Sequence, residues 1–256
     1  MNSFPSDQPL GLLVAERPAR AAALHQQGIP FQQHREQTLA DVCRHRGLEL
    51  AGVRKRLGRH RRHQTRHDLM WLGCPLDVIV GYLRHTHRHY LSERLPFLQQ
   101  LLKNTPAHHF ADPAVGHDLK LIFPLFADDF IHHIHEEEDV LFSYATRLQR
   151  AVDGQIRPGT AAWALLCRDL NRYSIQHFAV EHADDDDDMA GIYALTDGYT
   201  LRPGDDLTVR VIYDELRDFG EDLTRHAVIE NQIVFPYALQ LEQQVRRRAQ
   251  HLVDLN

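Results

Sequence analysis

The chain has 256 residues, 43% of them hydrophobic, and a formal net charge of −6, so it has material for a substantial core and does not read as a general polyanion binder. Its three cysteines, Cys43, Cys74 and Cys167, form neither a disulfide framework nor a CxxC pair, which fits a reducing, cytoplasmic setting. The first residues lack a basic start followed by an apolar run, and no stretch of about 18 apolar residues occurs, so neither a signal peptide nor a membrane span is expected.

Residues 8–57 read as a small helical unit, with short helices around Ala19–Gln27 and Leu39–His45 and breaks at Gly28-Ile29-Pro30 and Gly47. Some fifty residues make a marginal core, so this unit is expected to lean on the rest. Residues 58–70 form a basic linker; GRHRRHQTRHD at 58–68 reads as solvated chain or, without interleaved aromatics, as a weaker case for docking an acidic partner or nucleic acid. Residues 71–256 carry four long segments of helical periodicity. The first, about 75–103, has the stripe Leu76, Ile79, Val80, Leu83, His87, Leu91, Leu95 and Leu98. The second, about 115–150, has Phe126, Phe130, His133, Glu137, Val140, Leu141 and Tyr144. The third, about 160–196, has Trp163, Leu166, Leu170, Phe178, His182, Asp185, Met189 and Ile192. The fourth, about 205–250, has Ile212, Leu216, Phe219, Leu223, His226, Glu230, Ile233 and Tyr237. Pro- or Gly-containing connections separate them, and the expectation is an all-α chain with an antiparallel four-helix bundle.

Metal-ligand residue types fall on these apolar stripes. His133 and Glu137 are four residues apart and share one face, and His226 and Glu230 repeat the arrangement. His87 and His182 occupy stripe positions on the first and third segments. His85 and His89 crowd His87, but helical phase selects His87, with the other two as alternatives. His132 and His135 fall off the stripe, whereas Asp185 lies in phase with His182 within the acidic run 184–188. A single His-x3-Glu is commonly a surface pair, and a single stripe histidine is commonly a core residue. Two such pairs in phase with their stripes are hard to read that way. Buried carboxylates close together repel and lose hydration, and cations remove that difficulty. A mixed imidazole and carboxylate set suits iron or manganese; zinc favours fewer, tetrahedral ligands, and no HExxH occurs.

The chain resembles the repair-of-iron-centres proteins of the hemerythrin-like superfamily. DLTRHAVIENQIVFPYAL on the fourth segment is similar to the family's His-x3-Glu-Asn…Phe-Pro stretch. HIHEEEDVLF at 133–142 resembles its second-helix stretch, and EHADDDDD at 181–188 its third. The resemblance implies His133, Glu137, His182, His226 and Glu230 as iron ligands. In the first segment, an ungapped comparison anchored on Pro96 puts Arg88 at the ligand position, and a one-residue shift supplies His87. GIPFQQHREQTLADVCRHRGLEL resembles the family's small N-terminal domain, where relatives carry Cys-Cys-Gly-Gly and this chain has Gln32-Gln33-His34-Arg35. Glutamine forms no thiolate and exchanges no disulfide, so the family's cysteine-dependent step is in question here.

The expectation that follows is a non-haem di-iron protein with two irons per chain, bridged by carboxylates and an oxo or hydroxo group, acting in iron–sulfur cluster repair or in response to nitrosative and oxidative stress. The alternatives are a hemerythrin-like sensor or carrier that takes up O2, NO or iron without turnover, and a bundle that merely binds metal. An iron–sulfur protein is the expected client, with no membrane and no nucleic-acid partner.

Overall fold

The computed structural model describes residues 8–59, 73–185 and 189–254, so the basic linker expected at 58–70 lies almost wholly outside the described residues. The chain is all-α: no strand occurs among the described residues, only an isolated antiparallel bridge between Pro9 and Thr38. No helix among them is long and apolar enough to cross a membrane. The chain divides into two compact units. The first gathers the described parts of residues 1–65, 90–125 and 189–221, and the second those of 66–89, 126–188 and 222–256.

The N-terminal helices are α1 (Leu10–Glu16), α2 (Arg20–His25), α3 (Leu39–Arg46) and α4 (Leu50–Arg59). Local chemistry delimits α3. The Thr38 hydroxyl accepts from the Asp41 N–H at its start, and Gly47, at φ 66°, closes it in the left-handed conformation that costs glycine least. The remaining helices are α5 (Leu76–His89), α6 (Leu95–Asn104), α7 (Pro113–Glu136), α8 (Ser143–Val152), α9 (Ala161–Arg172), α10 (Ile175–Asp185), α11 (Ala190–Leu195), α12 (Leu207–Ile229) and α13 (Phe235–Asp254). Three π turns, Tyr90–Arg94, Glu137–Phe142 and Glu230–Val234, join α5 to α6, α7 to α8 and α12 to α13.

The long third segment expected at 160–196 is interrupted. Tyr173 is extended (φ −114°, ψ 153°), and α10 starts afresh at Ile175. No Gly or Pro marks this break; tertiary contacts hold it. Glu242 on α13 is buried and accepts the Ile175 N–H at 2.9 Å, satisfying a donor at the start of α10. The Arg246 guanidinium donates to the Tyr173 carbonyl, and the Tyr173 ring packs against Tyr144 and Phe178.

In the second unit one core runs through Leu83 of α5, Leu148 of α8, Leu166 of α9, Ile175 of α10 and Leu241 of α13. Burying each such side chain contributes about 1.5–3 kcal/mol. In the first unit, polar contacts join segments that are distant in sequence. Arg35 donates to both carboxylate oxygens of Asp206, at 2.7 Å for Nη1 to Oδ2, and also to the Thr208 hydroxyl. Arg94 donates to the buried Glu215 at 3.0 Å and lies over the Phe219 ring.

The Arg35 guanidinium, with donors from Thr208, holds the Asp206 carboxyl well below the usual carboxylate range. A depressed folded-state value gives stability that is complete above the unfolded carboxylate pKa, about 4, and is lost as pH falls below it. Asp206→Asn should therefore cost about 1–2 kcal/mol at neutral pH, the pair being partly solvated. The deficit should shrink as the pH falls through about 4. Urea melts of both proteins from acid to neutral pH measure it, and a pH-independent difference would show that the ion pair is not the source.

Candidate metal centre

The long helices change pitch where the ligand-type residues sit. Glu137 and Glu230 are each the first residue of a π turn, and His87 lies three residues before the π turn that opens at Tyr90. In a π turn the hydrogen bond reaches one residue further, as from the Phe235 N–H to the Glu230 carbonyl. The Phe235-Pro236 dipeptide explains one of these locally. Pro236 has no N–H to continue an α-helical ladder, and its ring would press on a carbonyl one turn back. A widened preceding turn accommodates it. Pro96 occupies the equivalent place, two residues after the turn that ends at Arg94.

These elements bring His87, Glu137, His226 and Glu230 together. All four are buried, and one ligand atom from each lies within 4.8 Å of the others. The His87 and His226 Nε2 atoms face each other at 2.8 Å. His87 Nε2 lies 3.3 Å from Glu137, and His226 Nε2 lies 3.1 Å from Glu230. His87 stacks on the fully buried Phe142 ring at 5.7 Å between centroids. His133 stands beside the group rather than within it: its Nε2 is 3.2 Å from Glu137, its side chain is 23% exposed, and Phe130 stacks against it. The His182 and Asp185 side chains lie outside the described residues. Of the first-segment histidines, His87 is in the group, His85 is exposed and His89 is half-buried. His132 is exposed and pairs at 3.5 Å with Glu136.

The donor set fits a transition-metal cation. Two carboxylates, 5% and 1% exposed, share one buried volume with two imidazoles, and a cation there would offset their mutual repulsion and lost hydration. Mixed nitrogen and oxygen donors of this kind suit iron or manganese. One residue of the surroundings escaped the sequence reading. Glu138 places Oε1 3.0 Å from His87 Nδ1. Its stripe phase gave no hint, because a helical wheel turns it about 100° away from Glu137.

The sequence also raised a thiol question. Cys43 is buried, and burial pushes its thiol pKa up, away from a reactive thiolate. The Gln32 amide donates to Thr105 at 3.4 Å, and Arg35 is held by Asp206, so two of the four residues standing where the resembled family has Cys-Cys-Gly-Gly make contacts to other segments of the first unit.

A cation held by this group stabilises the folded chain by mass action. Adding Fe(II), Mn(II) or Co(II) under anaerobic conditions should raise the thermal midpoint of the wild type. The same addition to the Glu137→Ala, Glu230→Ala double variant should leave it unmoved. An equal rise in both proteins would place the metal elsewhere.

No protein-family model matches the chain. Comparison with curated proteins finds similarity along nearly its full length. It is 24% identical over 235 residues to the iron-sulfur cluster repair protein YtfE of Citrobacter koseri, covering 91% of this chain and 97% of that one. The same identity and coverage hold for the proteins of that name from Escherichia coli O81 and Escherichia fergusonii. His87, Glu137, His226 and Glu230 thus form one buried group in a chain that is similar, over 91% of its length, to iron–sulfur cluster repair proteins.

Proposed function

We propose that the chain is a non-haem di-iron protein of the cytoplasm that acts in repair of damaged iron–sulfur clusters or in the response to nitrosative and oxidative stress. The observation that carries this reading is the buried group of two imidazoles and two carboxylates, set in a chain similar over 91% of its length to cluster repair proteins. His87, His133, Glu137, His182, His226 and Glu230 are the proposed ligands, on a four-helix bundle in which Glu137 and Glu230 bridge. Iron held there would supply one-electron chemistry and open positions toward O2 or NO. The protein's part is to place the donors and keep water out. Glu137 and Glu230 bring the negative charge, and Phe142, Phe130 and Ile229 are buried side chains on the helices that carry them. An iron–sulfur protein is the proposed client.

A second reading has its own support. Gln32 and Gln33 carry no thiol, and Cys43 is buried with its thiol pKa raised. A chain without accessible N-terminal thiols suits a sensor or carrier that takes up O2, NO or iron without turnover.

Metal analysis of anaerobically purified protein should give two irons per chain, with an optical spectrum that changes on admitting air or NO. Substoichiometric protein should then restore activity to a nitric-oxide-damaged iron–sulfur enzyme. Two irons without restoration would favour the sensor or carrier, and a chain that retains no iron would exclude both.

A further inference from the structure

The His87 ring has a different carboxylate on each nitrogen. Nε2 faces the buried group, 3.3 Å from Glu137 and 2.8 Å from His226 Nε2. Nδ1 faces Glu138, 3.0 Å from Oε1. Consecutive residues of an α-helix diverge by about 100°, and one imidazole does not ordinarily meet both. Glu137 and Glu138 open the π turn Glu137–Phe142 and reach the ring from its two sides, and the Glu138 backbone is held in place. The Glu138 carbonyl accepts from the Ser143 hydroxyl at 3.0 Å and from Arg84 Nη2 at 3.5 Å. Arg84 also lies over the Phe142 ring that stacks on His87. Glu138 and Phe142 thus meet His87 directly, and Ser143 and Arg84 hold the two of them. Glu138 itself is 31% exposed, so its carboxylate keeps part of its hydration.

A carboxylate only accepts, so an Nδ1–H directed at Glu138, the nearer of the two carboxylates, leaves the Nε2 lone pair to the buried group. We infer that Glu138 is a positioning residue of the metal centre: it fixes the tautomer and the plane of His87 so that Nε2 is presented as a ligand atom. This rests on the metal-binding reading above. The effect is the outer-shell one, in which removing the partner of a ligating histidine weakens metal binding by about 10–100-fold.

The test uses Co(II) as probe, titrated anaerobically into the full chain against a competing chelator, with the Co(II) visible absorption reporting its ligand field. Four proteins are compared: wild type, Glu138→Ala, Glu138→Gln and Glu136→Ala. The last removes the same charge one residue from Glu137, from a side chain that is 65% exposed and pairs with the exposed His132. Glu138→Ala should lose about 10–100-fold in Co(II) affinity with a changed absorption envelope. Its metal-free melting temperature should match the wild type. Glu138→Gln should recover most of the affinity, because its amide oxygen still accepts from Nδ1–H. Glu136→Ala should bind as the wild type does. In parallel, the 15N shifts of His87 in the metal-free protein should show Nδ1–H in the wild type and in Glu138→Gln, and a mixture of tautomers in Glu138→Ala. Glu138→Ala binding as tightly as the wild type overturns the inference and leaves the metal centre standing. So does Glu138→Gln as weak as Glu138→Ala, since charge and not orientation would then be at work. A wild type that takes up no Co(II) overturns the metal reading, and this inference with it.

Discussion

Two carboxylates and two imidazoles placed within 4.8 Å of one another, all buried, form the constraint around which the second unit is arranged. Leaving such a group without compensation is costly, because each ionised carboxylate loses hydration and repels the other. Each carboxylate therefore stands against an imidazole, Glu137 against His87 and His133, and Glu230 against His226. The aromatic neighbours serve the same group: Phe142 stacks on His87 and Phe130 on His133, which limits how far either ring can turn. A ligand set whose rings are already held loses less freedom when a cation arrives.

The π turns are the backbone expression of that demand. A regular α-helix presents one stripe, and residues next to each other leave it in different directions. Opening the turn at Glu137 and again at Glu230 re-aims the side chains there, and Pro236 and Pro96 follow two of the π turns at a point where an N–H is not required. Such insertions are frequent at functional sites, where the cost of a poorer hydrogen-bond ladder is offset by the side chains it re-aims.

In the first unit an ion pair is made from the segment where the resembled family has Cys-Cys-Gly-Gly, at the position of its last glycine. Arg35 closes a bidentate pair with Asp206 and also donates to Thr208. A guanidinium fork matched to a carboxylate fixes direction as well as distance. Cys43, buried and with its thiol pKa raised by burial, does not replace what Gln32 and Gln33 lack.

The sequence by itself determined the helical class and the residues now found together. His226 and Glu230, and Glu137, sit on their apolar stripes at a spacing that only a helix turns into one face, and His87 was separable from His85 and His89 by the same phase. Periodicity carries this much because burial is a local property of a helix face. It carried less where the cause lay elsewhere in the chain. The break at Tyr173 has no Gly or Pro; Glu242, some seventy residues on, accepts the N–H that opens α10. Glu138 showed no sign in the sequence of its place 3.0 Å from His87 Nδ1. Arg35 carried no sign of Asp206, 171 residues away. Which polar groups meet depends on the close packing of distant segments, and only the tertiary structure decides that.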